Sequence, residues 1–236
     1  MSITDDITPN IKIPKVIYQT WHSKHLPIGM YKSIINLQKH NPEFKYYLFS
    51  DDDCRIFINK WFDKSVLNAF DKLIPGAYKA DLWRYCILYK LGGIYIDIKY
   101  TSVKGQKLIN LIDQEHFVVD HGKKGIYNAF IICKPGNKLL GECINQIVTN
   151  VKNNYYGNSS LEPTGPKLLY KKMKHHHNYK TNTDMIHRLN NSGDKFIYFL
   201  NKPILETYKG FLIERDKCSK KSHYALLWNN KCIYNN

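Results

Sequence analysis

Asp81 and Arg84 stand three residues apart in a stretch with helical spacing, and Asp97 and Lys99 stand two apart in the segment that follows. Residues at i and i+3 of a helix share a face, and residues at i and i+2 of a strand do as well. Two carboxylates, a guanidinium and an ammonium are therefore expected to converge where the helix hands over to the strand. Carboxylates accept hydrogen bonds from sugar hydroxyls, and arginine offers phosphate oxygens a planar fork of donors. The set suits a phosphorylated sugar. The competing reading is an Asp–Arg pair that only decorates a helix surface, worth at most about 1 kcal/mol.

The elements that must hold these residues can be read around them. Apolar spacing is helical from residue 80 to 91, and Gly92-Gly93 supplies the stop. Residues 94–100 (IYIDIKY) alternate with period two and read as a strand, with Ile94, Ile96 and Ile98 on one side and Tyr95, Asp97 and Lys99 on the other. Upstream, residues 13–21 (IPKVIYQTW) read as a buried first strand entered through a proline. A helix over 29–39 is stopped by His40-Asn41-Pro42, and 46–50 is a second strand. Asp51-Asp52-Asp53 then read as the N-cap of a helical segment carrying Ile56, Phe57 and Trp61. Downstream, strands are expected at 117–119 and 128–133, a helix at 139–151, a polar loop at 153–160, a helix opened by Thr164-Gly165-Pro166, and short strands near Phe196 and Tyr224. The run His175-His176-His177, inside the basic segment 171–180, is expected to be exposed and without catalytic role. No repeat or linker divides the chain. One α/β unit over residues 1–236 is expected, with residues 1–10 as a flexible start.

Composition narrows the class. Hydrophobic content of 43% and 14% aromatic residues describe a globular protein able to bury a core. The six cysteines are scattered without zinc spacing and read as reduced, mostly buried thiols of a cytosolic protein. The polar, acidic N-terminus argues against a signal peptide, and no stretch approaches the roughly 18 apolar residues of a membrane helix. A soluble, cytoplasmic protein without a membrane anchor is expected. Richness in Lys, Asn, Ile and Tyr fits an AT-rich genome such as that of a large DNA virus. The net charge of +15 favours polyanionic partners, namely nucleic acid, an anionic membrane face or phosphate-bearing substrates, although a basic solvated surface explains it equally well. A nucleic-acid-binding protein is the rival class. It is disfavoured because no RRM, zinc-finger or helix-turn-helix signature is present and aromatics do not interleave with Lys/Arg in one stretch.

Three motifs in order, residues 13–21 (IPKVIYQTW), 80–85 (ADLWRY) and 91–99 (LGGIYIDIK), resemble the DXD-containing sugar transferases of glycosyltransferase family 32. Tyr127 to Phe130 (YNAF) and the C-terminal stretch His223 to Trp228 add weaker support. The resemblance implies a GT-A fold, a Rossmann-like mixed sheet flanked by helices, with the donor at the strand ends. It places Gln19, Thr20 and Trp21 at the nucleotide, with Trp21 stacking on the base or serving as a core residue. It puts Asp81 at sugar hydroxyls, Arg84 near the glycosidic oxygen or phosphate, and Asp97 as the first acid of the DXD motif. Tyr95 beside Asp97 and Trp228 over the donor join the substrate-binding set. Asn128 faces the acceptor or is a buried structural amide.

The second acid of the motif, the usual ligand of Mn2+ or Mg2+, is Lys99 here. A charged lysine has no lone pair for a metal. Three readings stay open. Lys99 acts as a tethered cation toward the diphosphate; or a metal persists on Asp97, phosphates, waters and His223; or transferase activity is lost and a silent sugar-nucleotide or glycan-binding homologue remains. The family likeness further implies retaining transfer of a hexose from a UDP- or GDP-sugar to a glycan or protein acceptor. In that picture Asp97→Asn and Arg84→Ala each remove most turnover with the fold intact.

Overall fold

The computed structural model describes residues 12–122, 125–176, 184–189, 194–218 and 223–235. The expected flexible start, His177 and the end of the basic segment lie outside them. Strand β1 (Val16–Thr20) leads through helix α1 (Ile28–His40) to β2 (Lys45–Phe49), then helices α2 (Asp51–Trp61), α3 (Lys64–Lys72) and α4 (Gly76–Leu91). β3 (Gly93–Ile96), β4 (Tyr100–Ser102), a 3-10 turn at Leu108–Leu111, β5 (His116–Val119) and β6 (Ile126–Cys133) follow. Helices α5 (Lys138–Lys152) and α6 (Pro166–Met173) precede β7 (Met185–Leu189), β8 (Lys195–Phe199), β9 (Lys202–Thr207), α7 (Phe211–Cys218) and α8 (Tyr224–Asn229).

All the strands join one mixed sheet in the order β2-β1-β3-β6-β5-β7-β8-β9-β4. β1 runs parallel to both β2 and β3. Because α1 carries the chain to one side of β1 and α2–α4 carry it to the other, the strand order reverses at β1. Open α/β sheets bind ligands in the crevice beyond the carboxyl ends of strands at such a point. The ends concerned are Thr20 and Ile96. Only a short turn separates β3 from β4 in sequence, yet β4 lies at the far edge, paired with β9. The sheet therefore curls until that edge returns beside the end of β3.

Alternation along the strands sorts two cores. Tyr18, Tyr95, Ile131 and Cys133 pack beneath α2 to α6. Ile17, Ile94, Ile96, Phe130 and Ile132 pack on the other side against Leu37 of α1, Leu108, Leu111, Ile197 and Leu205. This is the layered, GT-A-like α/β arrangement that the motifs implied. The described cysteines are all free, four of them buried, Cys218 half-buried and Cys232 exposed. Among the described residues no helix is long and apolar enough to cross a membrane.

Local details depart from the sequence reading. Ser50, not the acidic run, is the N-cap of α2: its hydroxyl accepts from the Asp53 N–H while the Asp53 carboxylate accepts from the Ser50 N–H, a capping box. Helix α4 begins a turn before residue 80. The strand expected over 94–100 ends at Ile96, and a turn closed by the Tyr100 N–H on the Asp97 carbonyl takes its place. Tyr224 opens helix α8 instead of a strand, because His223 caps it. Helices α3 and α7 and strands β4, β7 and β9 had no counterpart in the sequence reading.

Candidate active site

Helix α4 is buried around its whole circumference from Asp81 to Leu88. Two charged residues inside such a helix are expensive unless paired and hydrogen-bonded. Both are paired. The Asp81 carboxylate accepts from Thr164 Oγ1 at 2.8 Å and from Asn128 Nδ2 at 2.9 Å. Arg84 donates from Nη1 to the Asn128 carbonyl at 2.7 Å and from Nε to the Ala80 carbonyl at 3.1 Å. Its guanidinium lies over the Tyr95 ring, 4.4 Å from the centroid. Arg84 Nη2 sits between the two acids, 3.4 Å from Asp81 Oδ1 and 3.3 Å from Asp97 Oδ1. The reading of a surface pair is excluded by burial.

The helix is carried directly into β3 by Gly92 and Gly93. Their φ values are +64° and +108°, and a Cβ on them would meet Pro135 at 2.6 Å and the Val16 carbonyl at 2.9 Å respectively. Only glycine fits both constraints. Asp97 leaves the end of β3 with its N–H on the Ala129 carbonyl at 2.8 Å. Its Oδ1 accepts from the Tyr95 hydroxyl at 2.8 Å, and its Oδ2 from Lys99 Nζ at 2.6 Å. Asp97 and Lys99 thus meet across a turn, not along a strand face. Their side chains retain 21% and 16% exposure, against 6% for Arg84 and 10% for Asp81. Asp97 and Lys99 form the reachable lip of the site; Asp81 and Arg84 form its floor.

The charges are held firmly. Burial alone would raise the Asp97 carboxyl, but Lys99 and Arg84, with hydrogen bonds from Lys99 and Tyr95, outweigh it and hold it below the usual carboxylate range. Burial would lower the Lys99 ammonium, yet Asp97 more than compensates and raises it. For Asp81, burial wins over Arg84, Thr164 and Asn128 and raises the carboxyl.

The remaining predicted residues are put to several uses. Gln19 is fully buried, accepting from the Tyr46 hydroxyl at 2.8 Å and donating to the Asp97 carbonyl at 3.3 Å, so it orients Asp97 from behind. Thr20 donates to the Phe49 carbonyl at 2.9 Å and ties β1 to β2. Trp21, half-buried at the end of β1, packs with Met30, Ile34 and Tyr208. Its indole Nε1 is buried with no hydrogen-bond partner. Asn128 is a buried amide that links Asp81 to the Tyr85 hydroxyl, the structural alternative of the sequence reading. Trp228 donates to the Tyr156 carbonyl at 2.7 Å and pins α8 to the 153–160 loop. His223 is exposed and caps α8 through Nδ1; the charges acting on it are Arg215, Asp216 and Lys195. His175 is exposed, and His176 pairs with Glu142 at 2.9 Å.

Sequence reasoning missed Thr164, Tyr100, Tyr127 and Lys195. Lys99 Nζ lies 5.3 Å from the ring centroids of both Tyr100 and Tyr127. Long-range folding places them there, and no local pattern signals it.

Residues 27–118, which contain Asp81, Arg84, Asp97 and Lys99, match the family described as "Glycosyltransferase sugar-binding region containing DXD motif". Residues 27–118 are thus similar to a glycosyltransferase sugar-binding region. It is 40% identical over 92 residues to inositol phosphoceramide mannosyltransferase 3 of Schizosaccharomyces pombe, covering 36% of this chain and 24% of that protein. It is 32% identical over 97 residues to the initiation-specific alpha-1,6-mannosyltransferase of Candida albicans, covering 39% of this chain and 25% of the relative. An uncharacterized glycosyltransferase of Acanthamoeba polyphaga mimivirus is 36% identical over 94 residues, 39% of this chain and 38% of that one. The match thus spans about a quarter of the fungal relatives. The solved PaToxG glycosyltransferase superposes with a TM-score of 0.54 at 16% identity, covering 71% of each chain, a likeness of fold.

DXD glycosyltransferases are expected to use a divalent cation, and the residues at this site do not fit that role. Mn2+ and Mg2+ need several free oxygen ligands. Both oxygens of Asp97 are taken by Lys99, Tyr95 and Arg84, and the second position of the motif is itself a cation. Among the described residues no three His, Cys, Asp or Glu side chains are grouped to hold an ion. His223, the other expected ligand, accepts the Ala225 N–H at Nδ1 as the cap of α8.

Proposed function

We propose that this glycosyltransferase is a retaining hexosyltransferase that takes a sugar from a UDP- or GDP-sugar and places it on a glycan or protein acceptor. Residues 1–236 act as one transferase unit in this reading. Mannose is the first sugar to consider, since the fungal relatives are named mannosyltransferases. A virus-encoded enzyme acting in the cytoplasm is part of the same reading, supported by the mimivirus relative. The observation that carries the proposal is the half-open Asp97–Lys99 lip over a sealed Asp81–Arg84 floor, at the strand ends where nucleotides bind in this type of sheet.

Asp97, kept ionised, accepts hydrogen bonds from the donor. The Trp21 indole N–H, an orphan that costs roughly 1–3 kcal/mol while buried and unpaired, gains an acceptor from the nucleotide. Arg84 holds Asp97 from below and has no free face for substrate. In transfer, the bond from the anomeric carbon to the diphosphate oxygen breaks and its electron pair stays on the diphosphate. The acceptor hydroxyl oxygen bonds to that carbon from the same face, and its proton passes to the departing phosphate oxygen. Fixed positive charge aimed at the diphosphate lowers the barrier.

The test is a thermal-shift and hydrolysis screen against UDP- and GDP-hexoses, GDP-mannose included. One donor should stabilise the protein and be slowly hydrolysed, and Asp97→Asn should cut turnover by roughly a hundredfold or more. Stabilisation by none of them, or near-normal turnover in Asp97→Asn, overturns the assignment.

A further inference from the structure

We propose that Lys99 takes the place of the divalent ion, so that this enzyme holds the diphosphate of its donor without a metal. The inference rests on the transferase reading and goes beyond it. Charge bookkeeping comes first: a carboxylate carrying a bound divalent ion has one net positive charge, and so does a lysine ammonium. The substitution conserves the charge presented to the leaving group while removing the need to recruit an ion.

A free lysine would be a poor substitute, because its flexible stem lets the ammonium wander. Here the stem is immobilised. Asp97 binds the ammonium at 2.6 Å, and the Tyr100 and Tyr127 rings flank it at 5.3 Å. The Tyr100 hydroxyl donates to Tyr127 at 2.9 Å. Tyr127 is stacked on His187 with ring centroids 3.9 Å apart and planes 5° from parallel, and His187 Nδ1 is 2.9 Å from Asp120 Oδ1. The Lys99 carbonyl accepts from the Tyr208 N–H at 3.0 Å, which fixes the turn itself. An ammonium has three donors and Asp97 takes one. The side chain keeps an exposed edge on the lip, where a phosphate oxygen can approach.

The rim reinforces the reading. The ammonium of Lys195, on β8 next to the β9–β4 edge, is lowered first by burial and then by the charge of Lys99. Two neighbouring ammonium groups repel one another until an anion arrives, and a nucleoside diphosphate is such an anion. Lys99 keeps its proton throughout transfer; the acceptor's proton goes to the diphosphate, as above.

Calorimetric titration of the full chain with UDP and with GDP, in EDTA and then in MnCl2, tests this. One nucleotide should bind wild type with affinities that agree within about twofold in the two buffers. Lys99→Met should bind at least roughly tenfold more weakly in both, as expected for loss of a charged hydrogen bond. Lys99→Asp, which restores the second acid, should bind weakly in EDTA and recover in Mn2+. Wild-type binding that requires Mn2+, or undiminished binding by Lys99→Met, overturns the inference and leaves the transferase intact. Absence of binding by either nucleotide in both buffers overturns both. If the variants do not fold, the wild-type comparison alone decides.

Discussion

The floor and the rim of the site are built by opposite rules. In α4 and β3, the polar side chains that meet at the site are tied to groups far away in sequence: Asp81 to Thr164 and Asn128, Arg84 to Asn128 and Asp97. In α7 and α8 no residue is buried; Arg215 and His223 bond to immediate neighbours, Asp216 and Ala225, and the distant ties are separate anchors, Glu214 to the Gly29 and Met30 N–H groups and Trp228 to the Tyr156 carbonyl. Segments with few buried contacts open at low free-energy cost, whereas densely packed ones open only with the whole fold. The contrast teaches that most of the positioning is stored in the buried floor, while the rim is held by a few exposed anchors.

The sharpest way to break this comparison is Arg84→Ala. Removing one partner of a buried charge network should cost about 3–5 kcal/mol, seen by urea denaturation, together with lost turnover. The fold-neutral outcome expected from sequence is thereby revised, since burial makes Arg84 a structural residue as well. A cost below about 1 kcal/mol would put floor and rim on equal terms.

A smaller effect concerns the lip. The Asp97 carboxyl is held low, so its contribution is complete above the usual carboxylate range and lost as pH falls through the lowered value. The Lys99 ammonium is held high, so its contribution is complete below the usual lysine range and lost as pH rises through the raised value. The melting-temperature gap between wild type and Lys99→Met should be flat around neutral pH, corresponding to about 1–3 kcal/mol, and shrink at both extremes. A gap that changes steeply near neutrality would assign the effect to His187 instead.

The smallest effect is reserved for the rim. His223→Ala removes a cap and should cost less than about 1 kcal/mol in denaturation, with no change in the response of nucleotide binding to Mn2+. A Mn2+ response present in wild type and lost in His223→Ala would restore His223 as a metal ligand and overturn the metal-free reading.

How much of this was legible follows the same division. The α4–Gly-Gly–β3 unit could be read because its signals are local: helical spacing, two glycines, alternating isoleucines. Even there, periodicity carried the strand past Asp97, because a turn that returns Lys99 to Asp97 keeps the apolar alternation of Ile96 and Ile98. The burial of Arg84 was not legible, since it depends on the Asn128 carbonyl of a strand more than forty residues away. Neither was the Tyr100–Tyr127–His187 ring cluster around Lys99, which exists only because the curled sheet brings β4, β6 and β7 together. Tyr224 was misread for a related reason: aromatic residues suggest strand, while the preceding His223 cap, stabilising through a single ring nitrogen, leaves little trace in the sequence.

Arg84 reaches Asp97 across the Gly92-Gly93 junction at 3.3 Å, which fixes the length of the chain between them. One residue inserted in α4 would rotate Arg84 by about 100° relative to the junction. One inserted in β3 would turn Tyr95 toward the opposite core and carry Asp97 off its partner. Insertions and deletions in such a chain can survive in the loops at 103–107 or 153–160, but not between residues 84 and 97. The junction is a ruler against which longer or shorter versions of this chain can be aligned by spacing alone.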